Sequence, residues 1–154
     1  MPLTFTAQAD PSNTGNVAQA GTVSITISPT TAVITMSPML PGDSATGVIN
    51  VSNTGTVDCF YTLSADWTAA PGTSSRLATV LANKLNASVA VGATSLFTGR
   101  LVDLRDQPSP ARALTLATGN EDVSITLALP SGTGNIVQGV GLNVDFVFVA
   151  SSTQ

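Results

Sequence analysis

The side chains that could carry chemistry are few and scattered. None of the 154 residues is a histidine, which removes the usual general base and the commonest zinc ligand. A Ser-His-Asp or Cys-His arrangement is therefore impossible. The carboxylates are Asp10, Asp43, Asp58, Asp66, Asp103, Asp106, Glu121, Asp122 and Asp145. Asp103 and Asp106 are close in sequence, but Arg100 and Arg105 flank them, which reads as solvated ion pairing. Glu121 and Asp122 follow Gly119-Asn120, where acidic residues commonly sit in turns. No Asp-x-Asp-x-Asp loop offers calcium a set of oxygens. Gly132 and Gly134 precede no helix, so a phosphate cradle is not expected. The expectation is a protein that is not an enzyme, with no cofactor, no metal and no catalytic residues.

Composition narrows the class further. Charged residues make up 9% and hydrophobic ones 43%, with five Lys and Arg against nine Asp and Glu, a net charge of −4. A Ser/Thr-rich surface so poor in charge suits an extracellular or assembled protein better than a cytoplasmic one. Without a basic patch, and with few aromatics, a nucleic-acid partner lacks its electrostatic footprint. No apolar run approaches the roughly 20 residues of a membrane span. Met1-Pro2-Leu3-Thr4 lacks the basic and apolar regions of a signal peptide, so an exported protein would be read here in its mature form. Cys59 is the single cysteine and is expected to be a small buried apolar residue. Asn50-Val51-Ser52 and Asn86-Ala87-Ser88 match the N-glycosylation pattern, which matters only in a host that glycosylates.

The elements follow from alternation and punctuation. Residues 39–63 combine the turn signal Leu40-Pro41-Gly42-Asp43, a strand over 47–51, the turn Ser52-Asn53-Thr54-Gly55 and a second strand over 57–63. Together they predict a β-hairpin. Val57, Cys59, Tyr61 and Leu63 share one face of it. Strands are also expected over 22–28, 32–37, 85–91, 96–99, 114–116, 123–129 and 140–150, with Trp67 leaving the sheet. A helix is expected over 74–83, with Leu77, Val80 and Leu81 inward and Thr73 or Ser74 as the N-cap. Residues 101–106 suit one further helical turn. Val144, Phe146 and Phe148 are expected to be buried with Val48, Tyr61 and Ile125.

This pattern predicts an all-β fold, a two-sheet antiparallel jelly-roll sandwich with one or two short helices. At the N-terminus, Leu3, Phe5, Ala7 and Ala9 alternate with Thr4, Thr6 and Gln8. The polar stretch 10–16 then separates this strand from the rest. The chain thus divides into a strand and linker, 1–16, and a jelly-roll domain, 17–154. Such a strand can fold back on its own sheet or serve another.

The motif order carries a resemblance. It runs through Phe5-Thr6, Asn13-Thr14-Gly15-Asn16 and Ala20-Gly21-Thr22-Val23-Ser24-Ile25. It continues with Leu40-Pro41-Gly42-Asp43, Val51-Ser52-Asn53-Thr54-Gly55 and Leu96-Phe97-Thr98-Gly99-Arg100-Leu101-Val102-Asp103-Leu104. It closes on Gln138-Gly139 and Phe146-Val147-Phe148-Val149-Ala150. Over nearly its whole length the chain resembles the TasA/camelysin family of secreted prokaryotic proteins, which includes archaeal bundling pilus subunits. The resemblance implies a secreted subunit of a biofilm-matrix fibre or pilus, polymerising head to tail with copies of itself. Residues 3–9 (Leu3, Thr4, Phe5, Thr6, Ala7, Gln8 and Ala9) would then be the donor strand that completes the next subunit's sheet. The metallopeptidase activity described for camelysin is not implied, because histidine and an H-E-x-x-H helix are missing. The alternative is a cell-surface β-sandwich adhesion module that binds glycan or protein.

Overall fold

The computed structural model describes residues 3–5, 21–30, 40–134, 137 and 139–152. Its elements are β1 (Leu3–Phe5), β2 (Gly21–Val23), β3 (Ile25–Ser28), β4 (Ser44–Asn53), β5 (Cys59–Ala69), α1 (Ser75–Lys84), β6 (Asn86–Val91), β7 (Thr94–Arg100), α2 (Leu101–Asp106), β8 (Arg112–Leu114), β9 (Asn120–Ala128) and β10 (Leu142–Ser151). A five-stranded sheet runs β3-β4-β9-β6-β7 and a three-stranded sheet runs β10-β5-β8. Every pairing is antiparallel, including that of the separate β1-β2 ribbon. The fold is therefore mostly β, as the alternation predicts, with two helices. The expected strand over 32–37 and the boundary between strand, linker and domain lie outside the described residues.

One core joins the two sheets. Val23, Ile49, Val51, Val123, Ile125 and Leu127 come from the β2 and five-stranded side, and Tyr61, Leu63, Leu114 and Leu142 from the other. Burying a side chain such as Leu127 stabilises the fold by about 1.5–3 kcal/mol. The chain passes between sheets from β4 to β5, β5 to β6, β7 to β8, β8 to β9 and β9 to β10. The helices lie on two of these crossings. Ser74 caps α1 by accepting from the Leu77 N–H at 3.2 Å, and Ala78, Leu81 and Ala82 form its buried face.

Four expectations change. First, β4 and β5 are not a hairpin, since each belongs to a different sheet. Residues 54 and 56 instead bond back to the chain beside β2: Thr54 N–H donates to Ser24 O and Thr56 N–H to Thr22 O, each at 2.9 Å. Gly55 fits there because a Cβ would collide with the Thr22 carbonyl, so the glycine serves a close backbone approach and no hairpin turn. Second, Val48 is 46% exposed while Ile49 is buried. Asn50 fixes this register: its amide nitrogen donates to Asn120 Oδ1 and Asp122 Oδ1 on the solvent face. Third, Trp67 stays in β5, opposite Val144, with the Arg105 guanidinium 4.7 Å above its ring. Fourth, Leu77 is exposed. Leu81 carries the α1 face together with Ala78 and Ala82.

Candidate assembly edge

The two flanks of the three-stranded sheet are finished differently. On one, β8 pairs with Cys59, Phe60 and Tyr61 of β5, and the chain before it continues the cover. Leu63 N–H donates to Ser109 Oγ at 2.9 Å, and Ser109 N–H donates to Leu63 O at 2.8 Å. Asn53 donates its side-chain amide to Leu114 O at 3.0 Å, and Asp58 accepts from the Leu116 N–H at 2.7 Å. Arg105 pairs with Asp66 at 3.2 Å on the surface above.

A charged cluster fastens the same flank to the opposite sheet. Arg112 of β8 makes two 3.1 Å bonds to the Glu121 carboxylate of β9, and Tyr61 of β5 donates its hydroxyl to Glu121 Oε1 at 2.6 Å. Burial alone would raise the Glu121 carboxyl, but the bonds from Arg112 and Tyr61 outweigh it and hold its pKa below the ordinary value. Burial, then the Glu121 carboxylate, pushes the Tyr61 hydroxyl up and keeps it a donor. The Glu121 bond also raises Arg112. No ionised group in this trio is without a partner. The arrangement is a clamp between the two sheets. Among the described residues no group of three or more His, Cys, Asp or Glu is placed to hold a metal. Cys59 is buried, and burial raises its thiol, with Asp58 adding to the effect. Asp103 pairs with Arg100 at 3.4 Å on the surface.

The other flank is β10. It pairs with β5 over its whole ten-residue length, from Leu142 opposite Ala69 to Ser151 opposite Phe60. Among the described residues no strand lies on its other side. Its inward row is Leu142, Val144, Phe146, Phe148 and Ala150. The ends of that row are buried, while Val144, Phe146 and Phe148 are half-buried against the core. Phe148 meets Tyr61 with ring centroids 6.1 Å apart. On the outer face Val147 is 45% and Val149 51% exposed. Natural edges are usually guarded by lysine, proline, a bulge or a short strand. Here Asp145 is the only charge in residues 142–151.

The expected donor strand is placed in part. Leu3, Thr4 and Phe5 form β1 and pair with Val23, Thr22 and Gly21. Thr6, Ala7, Gln8 and Ala9 lie outside the described residues. The inward row of β10 follows from the sequence reading, which missed its two outward valines. The signal for these was there: residues 146–150 are apolar on both faces, as in strands covered on both sides. No protein-family model matches the chain, and no curated protein matches it.

Proposed function

We propose that this chain is the structural subunit of an extracellular filament, a pilus or biofilm-matrix fibre, polymerised by strand donation between copies. The observation that carries this reading is β10: ten residues long, apolar on both faces over residues 146–150, and without a neighbouring strand on one side among the described residues. An edge of that kind is a template for strand addition. Residues 3–9 supply an uncharged, alternating strand of the type such an edge takes. A contact of strand into edge joins different surfaces of the two copies, so it propagates where a two-fold contact would close. The repeated passage of the chain between sheets suits a jelly roll. The low charge and the resemblance to TasA/camelysin fibre proteins support a secreted structural role. Subunits joined this way can also bundle side by side.

Electron microscopy of the purified chain is the test. Regular filaments are expected, and deletion of residues 1–9 should leave folded monomers. Filaments of normal length from the deletion variant would overturn strand donation. One observation favours a second reading, the adhesion module. Thr46, Thr126, Ser88 and Thr98 form a hydroxyl row across β4, β9, β6 and β7, a surface suited to hydrogen-bonding a glycan. Dispersed monomers that bind immobilised glycans would select that reading.

A further inference from the structure

We infer that Asn86 is an N-glycosylation site and that Asn50, which carries the same sequence pattern, is not. The inference rests on the secreted reading of the chain and is independent of how copies join. Asn50-Val51-Ser52 and Asn86-Ala87-Ser88 are the only Asn-x-Ser/Thr triplets in the sequence. Both lie in strands of the five-stranded sheet. The Asn and Ser of each triplet are two residues apart and so share one face. In both triplets that is the solvent face, because Val51 and Ala87 between them are buried. What separates the two sites is what each amide already does.

Asn50 is engaged at both ends of its amide. Its Nδ2 donates to Asn120 Oδ1 at 3.0 Å and to Asp122 Oδ1 at 2.9 Å, and its Oδ1 accepts from Ser52 Oγ at 3.0 Å. An amide nitrogen carries two N–H donors, so both are spent. A sugar on this nitrogen would remove one of them and enter a half-buried position between β4 and β9. Asn86 is the opposite case. It opens β6 and is exposed, as is Ser88, and among the described residues its amide has no hydrogen-bond partner. Its cross-strand neighbours leave room: Ala128 of β9 offers a methyl group, and Arg100 of β7 is turned to Asp103 at 3.4 Å.

The modification needs an oligosaccharide carried on a lipid phosphate and a transferase that reads the Ser88 hydroxyl beside the amide. The Asn86 nitrogen bonds to C1 of the sugar as the C1–O bond to the phosphate breaks. The lipid phosphate leaves with the electron pair, and the amide gives one proton to a base of the transferase. The hydroxyl row lies two residues further along the strands, about 7 Å away, with Ser88 between Thr126 and Thr98. The first sugar units therefore fall on hydroxyls able to bond them. An N-glycan is bulky and solubilising, and here it would hydrate a face to which the five strands bring only Asp122 and Arg100 as charges.

Trypsin separates the two sites. Arg76 is the first basic residue, so Asn50 falls in the peptide ending there, while Asn86 falls in the peptide 85–100 between Lys84 and Arg100. The protein is collected from outside its own cells, digested and analysed by fragmentation mass spectrometry. A sugar mass on Asn86, with none on the peptide ending at Arg76, is the expected result. Asn86→Gln and Ser88→Ala should each abolish the addition, and Ser88→Thr should keep it. Both positions are exposed, so folding should tolerate these changes. A sugar on Asn50 with Asn86 bare, or equal occupancy of both, would overturn the assignment. An addition to peptide 85–100 that survives Asn86→Gln would place the sugar on a hydroxyl and overturn it as well. Exported protein bare at both sites would overturn it and leave the secreted reading standing. If the protein is found only inside cells, the secreted reading falls, and the assignment with it.

Discussion

β9 and β10 are two long strands of nearly the same apolar content on their inner rows, yet they meet opposite fates. In β9, Val123, Ile125 and Leu127 are fully buried, between β4 on one side and β6 on the other. Its solvent face is Asn120, Asp122, Ser124 and Thr126. These bond sideways, Thr126 to Thr46 at 3.0 Å and Asp122 to Asn50 at 2.9 Å. In β10 the inner row is half-buried, the outer row carries valines, and one side has no partner among the described residues. β9 is complete inside one chain. β10 keeps apolar surface exposed at Val147 and Val149.

The largest effect should come from breaking the complete strand. Ile125→Ala removes buried methyl groups where neighbours on both sides prevent collapse, and should cost about 2–5 kcal/mol. Urea denaturation of the residue 1–9 deletion, which is expected to stay monomeric, measures it. Phe146→Ala is the matching change in β10. Fully buried, this residue would cost on the order of 3–5 kcal/mol, but it is only partly buried in one chain. The monomer should therefore lose about 1–3 kcal/mol, with filament yield falling far more steeply. A monomer loss as large as that of Ile125→Ala would mean that β10 is already covered in the single chain.

The clamp offers a comparison between the closed and open flanks. Glu121→Gln keeps shape and removes the charge that Arg112 and Tyr61 address, and should cost about 1.5–3 kcal/mol. Because folding lowers the Glu121 pKa, its stabilisation is complete above the unfolded value of about 4.3 and is lost as pH falls through the folded one. Stability of the parent should therefore decline on acidification, and the Gln variant should decline less. Equal acid sensitivity in both would show that Glu121 is not the titrating link.

Strand periodicity made much of this fold legible. The inner rows of β9, β6 and β10 follow from alternation alone, and the Ser74 cap from one serine ahead of an apolar stripe. What escaped was set by contacts distant in sequence. Val48 and Ile49 are adjacent apolar residues, so alternation leaves their register open. The decision rests with Asn50 bonding to β9, and with Gly47, which takes an inward position without a side chain. The Asn53-Thr54-Gly55 turn reads as a hairpin locally, but bonds to residues 22 and 24 redirect it into a crossing. The Arg112-Glu121-Tyr61 clamp joins three strands and leaves no spacing signature. That β10 has no strand on one side among the described residues is a matter of topology, visible only once the strand order is known.

The smallest stability change gives the sharpest test of the comparison. Val149 is 51% exposed on the outer face of β10, so Val149→Lys should shift monomer stability by no more than about 0.5 kcal/mol. Its equivalent on β9, Thr126→Lys, also faces solvent but sits where both neighbouring strands are present. Lysine on an edge is a guard against strand addition, and residues 3–9 hold no acid to pair with it. Val149→Lys should therefore leave a folded monomer whose filaments shorten or vanish. Thr126→Lys should leave the strand contact intact, even where the sheet face enters a bundle. Sedimentation of assembled material against soluble monomer separates the two. If both lysines impaired assembly equally, the contact would lie on the broad sheet face, and side-by-side stacking would replace strand donation.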